Sequence, residues 1–304
     1  TENNPATVNY NIEFGVKSGP DLLSGSYTKQ ILFSSITNHV PTSTTFIRGH
    51  DFNNTLISFG SPGIVKSFKH STSAPPAGAN TKVVSTTDSD VPAYVWYDAA
   101  SQSILWYSDA DTAYANEDSS YMFSDLGNNY SDISLIDTAG INTSRVKNMS
   151  HMFHNGKWFI KKINLAGFDT SNVTNMYRMF TGLSNLTELK IQSFNTKKVT
   201  NMVSMFSRSF MNPANGILDI SNFDTSNVTD MSGMFFDSKL KTIYASPSFV
   251  TTAIIVSPTS PNNPFMNNTN LVGGNGTHYI FPNTSSQYAH IDAPGNPGYF
   301  TQKP

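Results

Sequence analysis

The stretch Phe168-Asp-Thr-Ser-Asn-Val-Thr-Asn-Met-Tyr-Arg-Met-Phe180 decides the fold, because the chain contains four versions of it. The others are Ile141-Asn-Thr-Ser-Arg-Val-Lys-Asn-Met-Ser-His-Met-Phe153, Phe194-Asn-Thr-Lys-Lys-Val-Thr-Asn-Met-Val-Ser-Met-Phe206 and Phe223-Asp-Thr-Ser-Asn-Val-Thr-Asp-Met-Ser-Gly-Met-Phe235. Their first methionines, Met149, Met176, Met202 and Met231, lie 27, 26 and 29 residues apart. A fixed period of this size marks a repeat array, in which one unit buries its apolar face only by stacking on the next. The longest interval contains Phe210-Met-Asn-Pro-Ala-Asn-Gly216, expected to loop out on one face and leave the stack undisturbed.

Inside a unit, Met176, Met179, Phe180 and Leu183 stand at i, i+3, i+4 and i+7. That spacing predicts a short helix with Thr174 as its cap. The alternation around Leu189 and Ile191, echoed by Ile163/Leu165 and Leu218/Ile220, predicts a brief strand. Strands this short need parallel neighbours about 4.8 Å away, so one repeat makes one turn of a coil. Eight of the 11 methionines form the pairs Met149/Met152, Met176/Met179, Met202/Met205 and Met231/Met234. Flexible thioethers beside phenylalanine rings are core fillers. Asn148, Asn175, Asn201 and Asp230 precede each pair and should stack in register at a turn, satisfying backbone groups there.

Composition agrees with a hydrogen-bonded stack. The 304 residues carry 19 Lys and Arg against 21 Asp and Glu, a net charge of −2, and only 13% are charged; about 25% is ordinary. This excludes a basic nucleic-acid surface. No apolar run approaches the roughly 18 residues of a membrane helix. With no cysteine, disulfides, thiolate metal sites and a cysteine nucleophile are excluded. The opening Thr-Glu-Asn-Asn-Pro, without initiator Met or signal peptide, reads as a trimmed secreted segment.

The repeats resemble those of the BspA-type leucine-rich-repeat surface proteins. Leu271-Val-Gly-Gly-Asn-Gly-Thr277 and Asn296-Pro-Gly-Tyr-Phe-Thr301 are similar to the ending of such arrays, and Pro92-Ala-Tyr-Val-Trp-Tyr-Asp98 and Asn116-Glu-Asp-Ser-Ser-Tyr-Met-Phe123 to their opening segment. The resemblance covers about two thirds of the chain and implies a secreted or wall-attached α/β repeat solenoid. That fold is a right-handed leucine-rich-repeat-like coil with short parallel strands and mainly β caps. It also implies an adhesion or interaction module and brings no catalytic residues. Two departures stand out: Thr138 takes the place of Leu165, Ile191 and Ile220, and the family's cysteine after the Met-Phe pair is replaced by Asn155 and Gly182.

The expected organisation is an amino-terminal segment at 1–45 and a region with an aromatic hairpin at 46–116, followed by the solenoid at 117–250 and a carboxyl-terminal cap at 251–304. Within the first segment, alternation at Val8, Tyr10, Ile12 and Phe14 suggests strands. Residues 51–59 read as a short helix and 74–80 as a loop or linker. Residues 91–98 and 103–108 read as a hairpin, whose Trp96, Tyr97, Trp106 and Tyr107 either cover the first coil or offer a sugar-stacking platform; covering is the favoured reading.

Candidate chemistry is sparse. His151 and His154 sit three apart without a third ligand, so no metal site is assigned. Asp109, Asp111, Asn116, Glu117 and Asp118 offer oxygen ligands to calcium, but the run lacks the Gly and closing Glu of an EF-hand and reads mainly as a solvated loop. No nucleophile elbow, P-loop or carboxylate pair is recognisable, so no enzyme activity and no cofactor is expected. The variable positions Arg145, Lys147, Tyr177, Arg178, Lys197 and Lys198 form a mixed basic and aromatic strip. They are the candidate ligand-binding residues, for a host extracellular protein or a glycan. The expected function is therefore non-catalytic adhesion by a secreted or cell-wall-attached monomer that binds no nucleic acid and inserts in no membrane. The alternative is a structural spacer presenting another module.

Overall fold

The computed structural model describes residues 40–60, 63–212, 216–255 and 263–304. The chain divides into two units, Thr1–Val40 and Pro41–Pro304, and the second is described below. The strands expected around Val8 to Phe14 lie outside the described residues, as does most of 1–45.

The second unit is mostly β. Its strands are β1 (Ser43–Thr45), β2 (Ser67–His70), β3 (Lys82–Val83), β4 (Ala93–Asp98), β5 (Ser103–Ser108), β6 (Thr112–Tyr114), β7 (Leu135–Asp137) and β8 (Ile141–Asn142). They continue with β9 (Lys162–Asn164), β10 (Glu188–Lys190), β11 (Ile217–Asp219), β12 (Thr242–Ala245) and β13 (Thr301–Gln302). Among the described residues α-helix is confined to α1 (Gly49–Ile57) and α2 (Leu126–Asn129). Among the described residues three sheets run in the orders β1-β6-β8, β10-β9-β7-β2-β5-β4-β3 and β11-β12-β13, none closed into a barrel. The first and third are wholly parallel, and the second is mixed, with antiparallel pairing only at β5-β4-β3.

The expected repeat strands form where the alternation placed them, at β9, β10 and β11. Leu189 pairs with Ile163, and Ile163 with Ile136, so equivalent residues stand side by side. A second ladder of parallel bridges joins Asp118, Asn148, Asn175, Asn201 and Asp230 in turn. Each of these side chains accepts the amide of the residue two further on, as Asn175 does from Tyr177 at 3.0 Å and Asp230 from Ser232 at 2.8 Å. The stacked turn is thereby closed locally by its own side chain.

The helix expected at Met176–Leu183 does not form. An α-helix would direct each amide to the carbonyl four residues back. Instead the amides of Met176, Arg178, Phe180 and Gly182 donate to Asn201, Val203, Met205 and Ser207 of the next unit at 2.9–3.0 Å. Arg178 adopts a left-handed φ of 53°, as do Tyr121, His151, Ser204 and Gly233 at the same repeat position. Thr174 is no cap, since its amide and hydroxyl both donate to Lys147 O of the preceding unit. The Met and Phe side chains are still buried, so the periodicity marked the inward face correctly and the backbone wrongly.

The interior is a column of rings. Phe123, Phe153, Phe180, Phe206, Phe235 and Phe265 stack face to face, successive centroids 5.4–6.0 Å apart and planes within 15° of parallel. The eight paired methionines are buried around them. At one end α1 lays Phe52 against Phe123, Phe68 and Phe46, 5.4–6.0 Å away. Gly49 is required there, because a Cβ would lie 2.3 Å from Ser120 O. The hairpin β4–β5 matches the expected one; Trp106 is buried against Phe46, as the covering reading expects, and Trp96, on the opposite face of the hairpin, is buried too, so neither ring is open as a platform. At the other end Phe300 packs on Phe235, Phe249 and Phe265, and β13 pairs with β12.

One expectation about the stack is corrected. The stretch from Phe210 does disturb it: β10 and β11 are not paired, and Phe210, itself buried, lines a cavity of about 300 Å³ between them. The bridge from Asn201 to Asp230, the Thr196 bonds to Asp224 and the stacked rings of Phe194 and Phe223 continue across the gap, so the two units stay in register outside the strands.

A further column went unread in the sequence. The buried hydroxyls of Thr143, Thr170, Thr196 and Thr225 donate to the carbonyls of Asp169, Asn195, Asp224 and Val250 in the next unit at 2.6–3.0 Å. Each also accepts the amide of that same residue at 2.7–2.9 Å. Thr196→Val keeps the shape and strands both groups, so it should lower unfolding stability by about 1–3 kcal/mol. Thr196→Ser, which keeps the hydroxyl, should lose less. Urea unfolding of the three proteins checks this, and equal midpoints for Val and the parent would refute the linking role.

Candidate ligand-binding surface

The six candidate residues lie on the outside of the repeats, but they have separate partners. Arg145 is exposed and stacks its guanidinium 3.5 Å over the Tyr114 ring. Lys147 pairs with Glu117 at 2.7 Å, a solvated contact of small worth. Lys198 donates to Asn172 Oδ1 at 2.7 Å, and Lys197 beside it is exposed. Tyr177 and Arg178 stand further round the turn, the guanidinium 5.1 Å from the ring.

Tyr177 and Arg178 belong to a strip of rings that single-residue reasoning overlooked. Tyr121 stacks on His151 with centroids 4.4 Å apart and planes 7° from parallel. His151 in turn meets Tyr177 at 4.9 Å and His154 at 5.2 Å, both near edge-on. The strip leads to a small cleft of about 230 Å³, walled by His154, Arg178, Ser204, Ser207, Arg208 and Phe236. Arg208 was missed, although it occupies the repeat position of Asn155 and Gly182 that the sequence had already singled out. Following that column into the third unit would have found it.

The electrostatics follow from burial. His151 is held from 6.5 down to about 4, first by burial and then by the charges of His154 and Arg178. Its Nδ1 is buried without a hydrogen-bond partner among the described residues. His154 is also lowered, chiefly by burial, with Asp125 acting in the opposite sense from 4.0 Å.

The acidic run is dispersed among separate duties. Asp111 accepts the amide and hydroxyl of Thr42, and Asp109 the hydroxyl of Tyr107 at 2.6 Å. Asp118 takes Ser120 and Asn148. No group of three or more His, Cys, Asp or Glu is placed to hold a metal ion among the described residues. A larger open groove, about 660 Å³, lies at the ends of β6 and β8 beside Asp111, Asn142, Asn164 and Asp169. There Asp169 is held below its ordinary value by hydrogen bonds from Ser171. Among the described residues no helix is long and apolar enough to cross a membrane.

Comparison with known proteins bears on the repeats alone. Residues 117–243 match the family described as Mycoplasma protein of unknown function, DUF285. The matched span is under half of the chain, and the family is associated with BspA-like surface repeat proteins. No curated protein and no solved structure matches the chain.

Three histidines, two on this surface and His70 on β2, give the protein a pH signature. His70, His151 and His154 all have pKa values below 6.5, with burial the leading cause. Between about pH 4 and 6.5 the unfolded chain therefore binds more protons than the folded one, and stability falls as pH falls through that window. His151→Phe, which keeps the stacked ring, should flatten the dependence. Melting temperatures of both proteins between about pH 4.5 and pH 7 check this; parallel curves would show that His151 does not fold neutral.

Proposed function

We propose that the chain is a non-catalytic ligand-binding module of an extracellular surface protein, secreted or attached to a cell wall, that works as a monomer. In this reading the repeats form a right-handed leucine-rich-repeat-like coil, and the ligand, a host protein or a glycan, is held along its outer face. One observation carries the proposal: columns in one register behave in two ways. Inward columns repeat their residue type, as in Phe123 to Phe265 and Thr143 to Thr225. The outward column Tyr121, His151, Arg178, Ser204 and Gly233 changes at every unit although its backbone conformation does not. A face that is fixed in geometry and free in chemistry suits recognition. The similarity of 117–243 to a family associated with surface repeat proteins supports the same reading.

The test is a binding screen of the purified chain against glycans and matrix proteins, with each hit incubated to detect turnover. Affinity spread over weak contacts predicts little loss from single changes and a larger loss from Arg145, Arg178, Lys197 and Lys198 to Ala together. Binding of a charged ligand should also weaken at high salt. Hydrolysis of a bound glycan or peptide would overturn the proposal. A screen without any ligand would leave the spacer as the better reading.

A further inference from the structure

The cleft beside Tyr177 has a chemistry of its own. Arg178 is exposed and forms no ion pair among the described residues. Arg208 faces the same space; its Nε is 3.8 Å from Asp237 Oδ2 and its guanidinium lies 5.4 Å over the Phe236 ring. A contact of 3.8 Å is too long for a hydrogen bond, so the guanidinium fork is not saturated by Asp237. The hydroxyls of Ser204 and Ser207 line the cleft and make no hydrogen bond among the described residues, whereas that of Thr181 is committed to Ser204 O. His154 completes the wall, and Asp125 stands behind it. The lining carries two guanidinium charges and no carboxylate, since Asp237 and Asp125 stand outside it, so the wall of the cleft is positive in a chain whose net charge is −2.

The backbone fixes where both side chains leave the turn, because the left-handed φ recurs from unit to unit at these positions. Arg178 and Arg208 both adopt left-handed φ, 53° each. The equivalent positions in other units hold Gly233 and Gly182, for which that conformation carries no steric cost. Arginine at the same point is strained by comparison, by roughly 1 kcal/mol.

Resting on the ligand-binding reading above, we propose that this cleft binds one carboxylate or sulfate group carried by a saccharide. Arg178 and Arg208 clamp the oxyanion, and Ser204 and Ser207 donate hydroxyl hydrogen bonds to it. Phe236 packs on the apolar face of the sugar, and the strip Tyr177–His151–Tyr121 receives the neighbouring residues of the glycan. Guanidinium forks suit planar or trigonal oxyanions, and flanking rings favour a sugar over a free anion.

The experiment is calorimetric titration of the full chain with a sulfated heparin-derived oligosaccharide, its desulfated form, an oligogalacturonate and inorganic sulfate. The parent should bind at least one acidic oligosaccharide and bind it more tightly than the desulfated form or sulfate alone; which acidic glycan binds identifies the group. Arg178→Gln and Arg208→Gln should each weaken binding only about two- to threefold and together about tenfold, with unchanged melting temperatures because both side chains are exposed. Phe236→Ala should weaken the oligosaccharide and leave inorganic sulfate unaffected. Full-strength binding by the double Arg variant, or no binding of either acidic oligosaccharide, would overturn this site. If a ligand found by the wider screen still bound in that case, only the cleft would be refuted; if none did, the binding reading would fall with it.

Discussion

The structure depends on amides that cannot be satisfied inside their own unit. A three-residue strand followed by a tight turn has too few internal acceptors, and a buried amide without one costs about 1–3 kcal/mol. Here alternate N–H groups of the turn reach forward to the next unit, as Met149 does to Asn175 and His151 to Tyr177. A unit alone would leave these groups bare, and the stack is what completes them. The same demand fixes the register at one residue per residue, because a slip would misalign every donor in the ladder at once.

Fixed register explains the interior. Once equivalent residues must lie side by side, like stacks on like, so a single Phe becomes a continuous column of parallel rings. The Met pairs suit the irregular space around that column, since a flexible thioether adapts where a branched side chain would not. A column also has two open ends, each an apolar surface. Phe52 on α1 covers one, and Phe265 with Phe300 extends and covers the other. The terminal segments are therefore part of the same physical problem as the repeats.

This is why much of the fold was legible in the sequence and some was not. Burial leaves a periodic mark, so the strands around Ile163, Leu189 and Leu218 and the inward Met and Phe positions could be read directly. The mark does not report where amides point. Met176, Met179 and Phe180 are buried whether the backbone is helical or turned outward by a left-handed Arg178, and the helix expectation failed on that ambiguity. The Thr143 to Thr225 column was visible as a repeated letter, but its role is a pair of bonds to another unit, which no spacing within one unit reveals. The gap between β10 and β11 depends on where Phe210 inserts, a tertiary fact. For the candidate surface, Tyr177 and Arg178 were legible as departures from the repeat, whereas Arg208 needed the next column over.

The separation of duties between columns gives the outer face its freedom. Inward positions supply the ring stack, the methionine filling and the threonine and asparagine links, and a change at any of them disturbs both neighbouring units. Outward positions such as 178 and 204 contribute their backbone amides to the ladder whatever side chain they carry, so Gly, Ser, Arg, His and Tyr all occupy one column without altering the bonds beneath. The left-handed conformation there is the only tax on a side chain, small beside the loss of a buried hydrogen bond or a core ring. Side-chain chemistry can thus be varied unit by unit on a scaffold whose stability is settled elsewhere, and in the proposed cleft Arg178 and Arg208, from adjacent units, are two such positions combined.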